Sequence, residues 1–154
     1  MKQTIQVLDI SVVIPVYNSA EIFPTLYARL CDVLEKISGS FEIIAVVDGC
    51  RDDSFKVISE INSTDSRVKV VEFARNFGHQ AAVSAGMAMA KGDLLTIIDD
   101  DLEDLPEVLE LFKAKIDEGF DVVYGVRRAR KRSVLHKFFY VLFYRVLGGL
   151  SDFK

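Results

Sequence analysis

Five carboxylates crowd one short stretch of this chain: Asp99, Asp100, Asp101, Glu103 and Asp104 directly follow the apolar pair Ile97-Ile98. In an extended turn, Asp99, Asp101 and Glu103 alternate and can point to one side. Carboxylates packed this closely repel one another, and burying them unpaired is costly. A hard cation removes that cost. Oxygen donors suit Mg²⁺ or Mn²⁺, and Mg²⁺ commonly keeps waters and shares the phosphates of a substrate. The chemistry indicated is a nucleoside diphosphate bridged through a divalent metal. The alternative is a solvated acidic loop. For Asp104 and Glu107 the local role is preferred, because carboxylates at a helix start are favoured there. The spacing does not meet that of a calcium-sensor loop.

The elements that must position this cluster are legible in the changing hydrophobic period. Ile10–Val16, Glu42–Val47, Val68–Phe73, Leu94–Ile98 and Asp121–Tyr124 read as short apolar strands. Between them, Glu21–Ile37, Asp53–Ile61, Gln80–Ala90 and Leu105–Ile116 read as helices. Pro106 falls in a predicted first turn, and Gly92 and Gly119 fall after predicted helix ends. Continuous apolar strands alternating with helices predict an α/β fold: a mostly parallel sheet with helices on both faces. In such sheets ligands lie at the carboxyl ends of the strands. Polar residues stand there: Tyr17-Asn18, Asp48-Gly49, Arg75-Asn76, the aspartate run, and Arg127.

Composition bounds the rest. With 154 residues, half of them hydrophobic, the chain is sized for one globular domain with a real core. Cys31 and Cys50 make no metal-binding spacing and fit a reduced compartment, Cys31 in the core and Cys50 incidental. The opening MKQTIQVLDI is too charged and too short in apolar length for a signal peptide, and no run of uncharged apolar residues is long enough to span a membrane. The net charge of −4 hides an asymmetry: residues 1–126 hold 22 of the 23 acids but 11 of the 19 Lys and Arg. Arg127, Arg128, Arg130, Lys131, Arg132, Lys137 and Arg145 then form a basic segment containing Phe and Tyr. The reading is a body over 1–126 and a basic, aromatic interfacial helix over 127–154. Residues 127–147 would meet an anionic membrane surface, or else pack on a core. Nucleic acid is disfavoured as a partner because the body is acidic. Left without a partner, this apolar tail would promote homo-oligomers.

Taken together, the motifs resemble family-2 glycosyltransferases of the GT-A (Rossmann-like) fold. The resemblance rests on Val13-Ile14-Pro15-Val16-Tyr17-Asn18, then Asp48-Gly49 with Asp52, then Arg75-Asn76-Phe77-Gly78-His79-Gln80. It continues with Gly92-Asp93, the run Asp99 to Glu107, and Gly125-Val126-Arg127. The Arg75-Asn76-Phe77-Gly78-His79 set and the metal run beginning at Asp99 are most similar to the polyprenyl-phosphate branch. That resemblance implies an inverting transfer of a sugar from a UDP- or GDP-linked donor to a polyprenyl phosphate, at the cytoplasmic face of a cell membrane. Pro15, Val16 and Tyr17 would flank the base, and Asp48 would contact the nucleoside. Asp99, Asp100 and Asp101 would serve the metal and diphosphate, with Glu103 standing where the family often has glutamine as a further metal ligand. Asp101 and Arg127 would be catalytic, and Arg127 and Lys137 would hold the acceptor phosphate. Arg75 could neutralise a diphosphate or pair with surface acids, the former being favoured. His79 could donate to a phosphate or act locally.

Three departures stand out: Ser19 where the family often has glutamate, Val47-Asp48-Gly49-Cys50 where Asp-Asp-Gly-Ser is usual, and Glu103. The family pattern also continues past residue 154, into an acceptor-side segment and often membrane helices, so the chain is expected to be an N-terminal part. Two rival functions stay open: extension of a cell-surface polysaccharide or lipopolysaccharide, and a non-catalytic nucleotide-binding or membrane-scaffold domain. A dehydrogenase is disfavoured, since no Gly-x-Gly-x-x-Gly follows the first strand.

Overall fold

The computed structural model describes residues 8–126; Arg127, Lys137 and the predicted interfacial helix lie outside them. Residues 8–121 form one compact unit. Its elements run β1 (Leu8–Val16), α1 (Phe23–Ile37), β2 (Phe41–Val47), α2 (Ser54–Thr64), β3 (Val68–Glu72), α3 (His79–Met89), β4 (Gly92–Ile97) and α4 (Val108–Asp117). The four strands pair in parallel in the order β3-β2-β1-β4. The predicted alternation of strands and helices is observed up to α4, with boundaries shifted by a few residues.

The period of each segment explains the element it forms. Strands β1 and β2 are buried on both faces, which is why they read as unbroken apolar runs rather than alternating ones. On one face, Phe23, Leu26, Leu30 and Leu34 of α1 and Ile58 of α2 join Val12, Ile14 and Ile43 in the main core, with Leu109 of α4. On the other face, Ala82 of α3 packs with Val13, Ile44 and Val46. The helices thus cover both faces. Helix α3 sits so close to β1 that a Cβ at Gly86 would lie 2.3 Å from Val13 Cγ1.

One expected element is absent among the described residues. Asp121–Tyr124 is not a strand. Its β-branched and aromatic residues stand exposed, Val122 at 76% and Tyr124 at 77%, and pair with no neighbouring strand. Strand propensity reflects the fit to a half-buried pleated surface, and among the described residues this segment pairs with none. The start of α4 also differs from expectation. Glu107 stands at its N-terminus without a capping bond; its carboxylate instead takes two hydrogen bonds from Arg29 of α1, at 2.9 and 2.5 Å. No described helix is long and apolar enough to cross a membrane.

The amino-terminal edge of the sheet is closed by charge. Glu42, 2% exposed, accepts from Ser11 Oγ at 2.6 Å and from the Lys91 N–H at 2.7 Å, and also pairs with Lys69. Burial pushes its carboxyl up, but Lys69, Ser11 and Lys91 together hold it below the usual glutamate value. Nearby, the Arg67 guanidinium holds Asp65 at about 2, against an ordinary 3.8.

Overpacking of the kind Gly86→Ala would cause costs about 1–3 kcal/mol, more than the roughly 1 kcal/mol gained by replacing a helical glycine. Denaturant unfolding of Gly86→Ala should therefore show a loss of stability, and Val13→Ala in the same chain should recover part of it. A second expectation concerns acid. A carboxyl depressed on folding stabilises fully above its unfolded value, near 3.8 for Asp65, and loses that contribution as pH falls through about 2. The stability of Asp65→Asn, followed from pH 5 to pH 2, should fall less steeply than that of the unsubstituted chain.

Candidate active site

Because all four strands run in parallel, the loops that follow them emerge at one edge. There a cleft of about 440 Å³ is lined by Pro15, Val16, Tyr17, Asp48, Asn76, Gly78, His79, Ala82, Asp99, Asp100 and Asp101. Its size suits a small-molecule ligand. The structure thus gathers Pro15, Val16, Tyr17, Asp48 and the three consecutive aspartates, as the sequence predicts. Of the predicted pair Arg75-Asn76 it brings in Asn76, and it adds Gly78 and Ala82, which residue type alone did not mark. It also includes His79, whose Nδ1 is 3.9 Å from Asp99 Oδ1, beyond hydrogen-bond distance.

Two expected residues stand elsewhere. Arg75 does not line the cleft; its guanidinium lies over the Phe77 ring, 4.8 Å from the centroid, and Phe77 in turn packs edge-to-face on Phe73. Glu103 is also absent from the lining, although its N–H donates to Asp101 Oδ1 at 2.8 Å and closes the turn. Among the described residues no three His, Cys, Asp or Glu side chains are close enough to hold a metal by themselves.

The aspartates divide by what they already hold. Asp48, 4% exposed, accepts from the Phe77 and Gly78 N–H groups at 2.7 and 2.9 Å. It therefore fixes the loop between β3 and α3 as well as facing the cleft. Asp100 Oδ2 accepts from the Tyr17 N–H at 2.9 Å and from Ser19 Oγ at 2.5 Å. Asp52, outside the cleft, accepts from the Ala20 N–H at 3.0 Å and from Ser54 Oγ at 2.6 Å. Ser54 Oγ accepts the Ser19 N–H in turn at 2.9 Å. Cys50 has a local role too, its Sγ accepting the Asn18 N–H at 3.2 Å. Gly49 permits this closeness: at φ +61° a Cβ there would lie 2.2 Å from the Asn76 backbone nitrogen.

Asp99 and Asp101 remain as the cleft carboxylates not spent on joining one strand-end loop to another. Among the described residues, they make with Asp48 and Asp100 a cleft of four carboxylates, where His79 is the one lining side chain able to carry positive charge. Such a cleft repels a diphosphate unless a cation intervenes. Mg²⁺ is typically held by one or two carboxylates together with substrate phosphates, so the donor set Asp99 and Asp101 fits a shared site rather than a closed cage.

A parallel sheet with a carboxylate-lined cleft at its carboxyl edge defines an α/β domain with its candidate ligand site at the strand ends. The comparisons carry this further. The family model described as glycosyl transferase family 2 matches residues 11–148. YkcC, an uncharacterized glycosyltransferase of Bacillus subtilis, is 40% identical over 94% of this chain and 45% of its own length. The undecaprenyl-phosphate 4-deoxy-4-formamido-L-arabinose transferase of Salmonella choleraesuis is 40% identical over 83% of this chain and 39% of its own. Among solved structures, residues 1–349 of S. aureus TarS in complex with UDP superpose with TM-score 0.60 at 23% identity, over 80% of this chain and 38% of that one. The mannosyltransferase PcManGT of Pyrobaculum calidifontis, in complex with GDP-Man and Mn²⁺, gives 0.54 at 19% identity, over 62% and 28%. The likeness to the solved structures carries the GT-A fold. The chain belongs to glycosyl transferase family 2, and it spans less than half the length of the curated relatives it matches.

The double role of Asp48 yields a prediction. In Asp48→Asn the amide can accept through one oxygen only, and its NH₂ meets a backbone N–H. Leaving a buried donor unmatched costs about 1–3 kcal/mol. Thermal unfolding should register that loss even without any ligand, whereas a residue used only for ligand contact would leave the ligand-free protein unchanged.

Proposed function

We infer that this domain binds a nucleotide-sugar through a divalent metal and belongs to a protein that transfers the sugar to a polyprenyl phosphate. The observation that carries the metal-and-diphosphate reading is the pair Asp99 and Asp101, which line a cleft whose other two carboxylates are engaged with loop hydrogen bonds. The acceptor class is supported by the 40% identity to a transferase named for undecaprenyl phosphate.

On this reading Pro15, Val16 and Tyr17 flank the base. Asp48 contacts the nucleoside while keeping the β3–α3 loop in place. Asp99 and Asp101 would hold Mg²⁺ or Mn²⁺, with Glu103 close in sequence as a further donor. A divalent ion bound there supplies positive charge to the departing diphosphate. Gly78 and His79 bring the N-terminus of α3 to the cleft, where the helix dipole favours an anion. An oxygen of the acceptor phosphate attacks the anomeric carbon as the bond to the nucleoside diphosphate breaks and the bonding pair leaves with it, so the configuration inverts. A phosphate acceptor is already ionised near neutral pH, which removes the need for a strong general base. Arg127 and Lys137 are assigned to the acceptor phosphate. With the rest of 127–147 they would place the reaction at the surface of an anionic membrane, on its cytoplasmic face.

A thermal-shift panel of UDP-, GDP-, CDP- and dTDP-sugars, each with Mn²⁺, Mg²⁺ or EDTA, tests the donor side. One nucleotide-sugar should raise the melting temperature with metal, by the equivalent of about 2.7 kcal/mol at a hundredfold excess over Kd. The rise should vanish with EDTA and in Asp101→Ala. A rise that persists in both would overturn the metal assignment. With the full-length protein, release of the nucleoside diphosphate on addition of undecaprenyl phosphate, but not of an oligosaccharide, is expected.

A further inference from the structure

We propose that Asp100 is a positioning residue that ties the base side of the cleft to its metal side, so that metal and nucleotide strengthen each other's binding. The inference rests on the reading of the cleft given above.

Asp100 is the middle member of the aspartate run, yet its Oδ2 reaches across 83 residues of sequence to Tyr17 N–H at 2.9 Å and 81 to Ser19 Oγ at 2.5 Å. Ser19 has a second acceptor in Tyr17 O, at 3.3 Å, but a hydroxyl carries one proton, and the shorter, charge-assisted bond is the stronger. Ser19 is 6% exposed and is itself fixed from the other side. Its N–H donates to Ser54 Oγ, which donates to Asp52 Oδ1. The partner that holds Asp100 is therefore anchored to the start of α2 rather than to a free loop. The neighbours of Asp100 on either side, Asp99 and Asp101, take their placement from this anchor.

The backbone around the contact adds to the case. Asn18 (φ 54°) and Leu102 (φ 58°) are the two described non-glycine residues with positive φ. One lies between the two donors to Asp100, and the other lies two residues beyond it. Asparagine tolerates this conformation, but for a leucine it is disfavoured and persists only where surrounding contacts impose it. Asp100 bonds to the first loop directly. In the second, the bond from Glu103 N–H to Asp101 closes the turn around Leu102. The loop that would flank the base and the loop that would hold the metal are thus linked through a single carboxylate. A ligand that orders one of them lowers the cost of ordering the other, which is a coupling between two sites, and linkage makes it reciprocal.

Mn²⁺ titration of the full chain, read by electron paramagnetic resonance with and without UDP or GDP, separates this role from direct ligation. Ser19→Ala leaves every carboxylate in place. In the unsubstituted chain the nucleotide should raise Mn²⁺ affinity. Ser19→Ala and Asp100→Asn should each reduce that enhancement by about tenfold, and the double variant should be no worse than either single one, as expected for partners in one interaction. Mn²⁺ binding without nucleotide should survive in Ser19→Ala and fall in Asp101→Ala. An undiminished enhancement in Ser19→Ala, with nucleotide still bound, overturns this inference alone. Loss of nucleotide-free Mn²⁺ binding in Asp100→Asn to the extent seen in Asp101→Ala makes Asp100 a ligand and also overturns it. Failure of the unsubstituted chain to bind either nucleotide at any Mn²⁺ concentration overturns the reading of the cleft, and this inference with it.

Discussion

The parallel sheet delivers all of its following loops to one edge, and the structure depends on how the polar backbone of those loops is satisfied there. Backbone N–H groups that leave the sheet ladder need other acceptors, and at this edge carboxylates supply several of them. Asp48 holds the loop after β3, Asp52 the loop after β1, and Asp100 joins the loop after β1 to the loop after β4. Each bond spans a long sequence separation, so no loop is placed by its own local preferences. The cleft exists because these loops are laced to one another around it.

The same lacing sorts the charge. A site of four carboxylates in an acidic body is an unfavourable place for a phosphate, yet Asp48 and Asp100 are already matched by donors from other loops. Asp99 and Asp101 are the two on which the proposed cation would rest. The opposite edge of the sheet uses charge differently. Glu42 there is closed in by Lys69, Ser11 and the Lys91 N–H, and the result is a sealed structural contact. An acid becomes available for ligand chemistry when the protein does not complete its coordination, and it becomes structural when the protein does.

The departures from the family pattern acquire physical reasons in this setting. Ser19, where glutamate is frequent, is the hydroxyl partner of Asp100. Val47, where aspartate is usual, is fully buried in β2, packed in the main core rather than in the cleft. Cys50 keeps the local role of a small polar side chain by accepting the Asn18 N–H. None of the three alters the sheet that brings Pro15, Asp48 and Asp99 together.

Much of this was legible in the sequence because its signals are local. Unbroken apolar runs marked β1 and β2 because both of their faces are buried, and the 3.6-residue spacing of Leu26, Leu30 and Leu34 marked α1. The rule that ligands sit at the carboxyl ends of parallel strands then placed Tyr17, Asp48 and Asp99 at one site. Asp121–Tyr124 misled because strand composition needs a neighbouring strand, and a sequence does not show whether one is available. Arg75 lies over the Phe77 ring rather than in the cleft lining because a cation near a cleft has competing partners. By itself the sequence determined the order of elements up to α4 and the acidic character of the carboxyl edge, since periodicity and residue type act over a few neighbours. Only the tertiary structure decided which carboxylates hold loops and which remain for a ligand, because that depends on hydrogen bonds between residues some 30 to 80 positions apart.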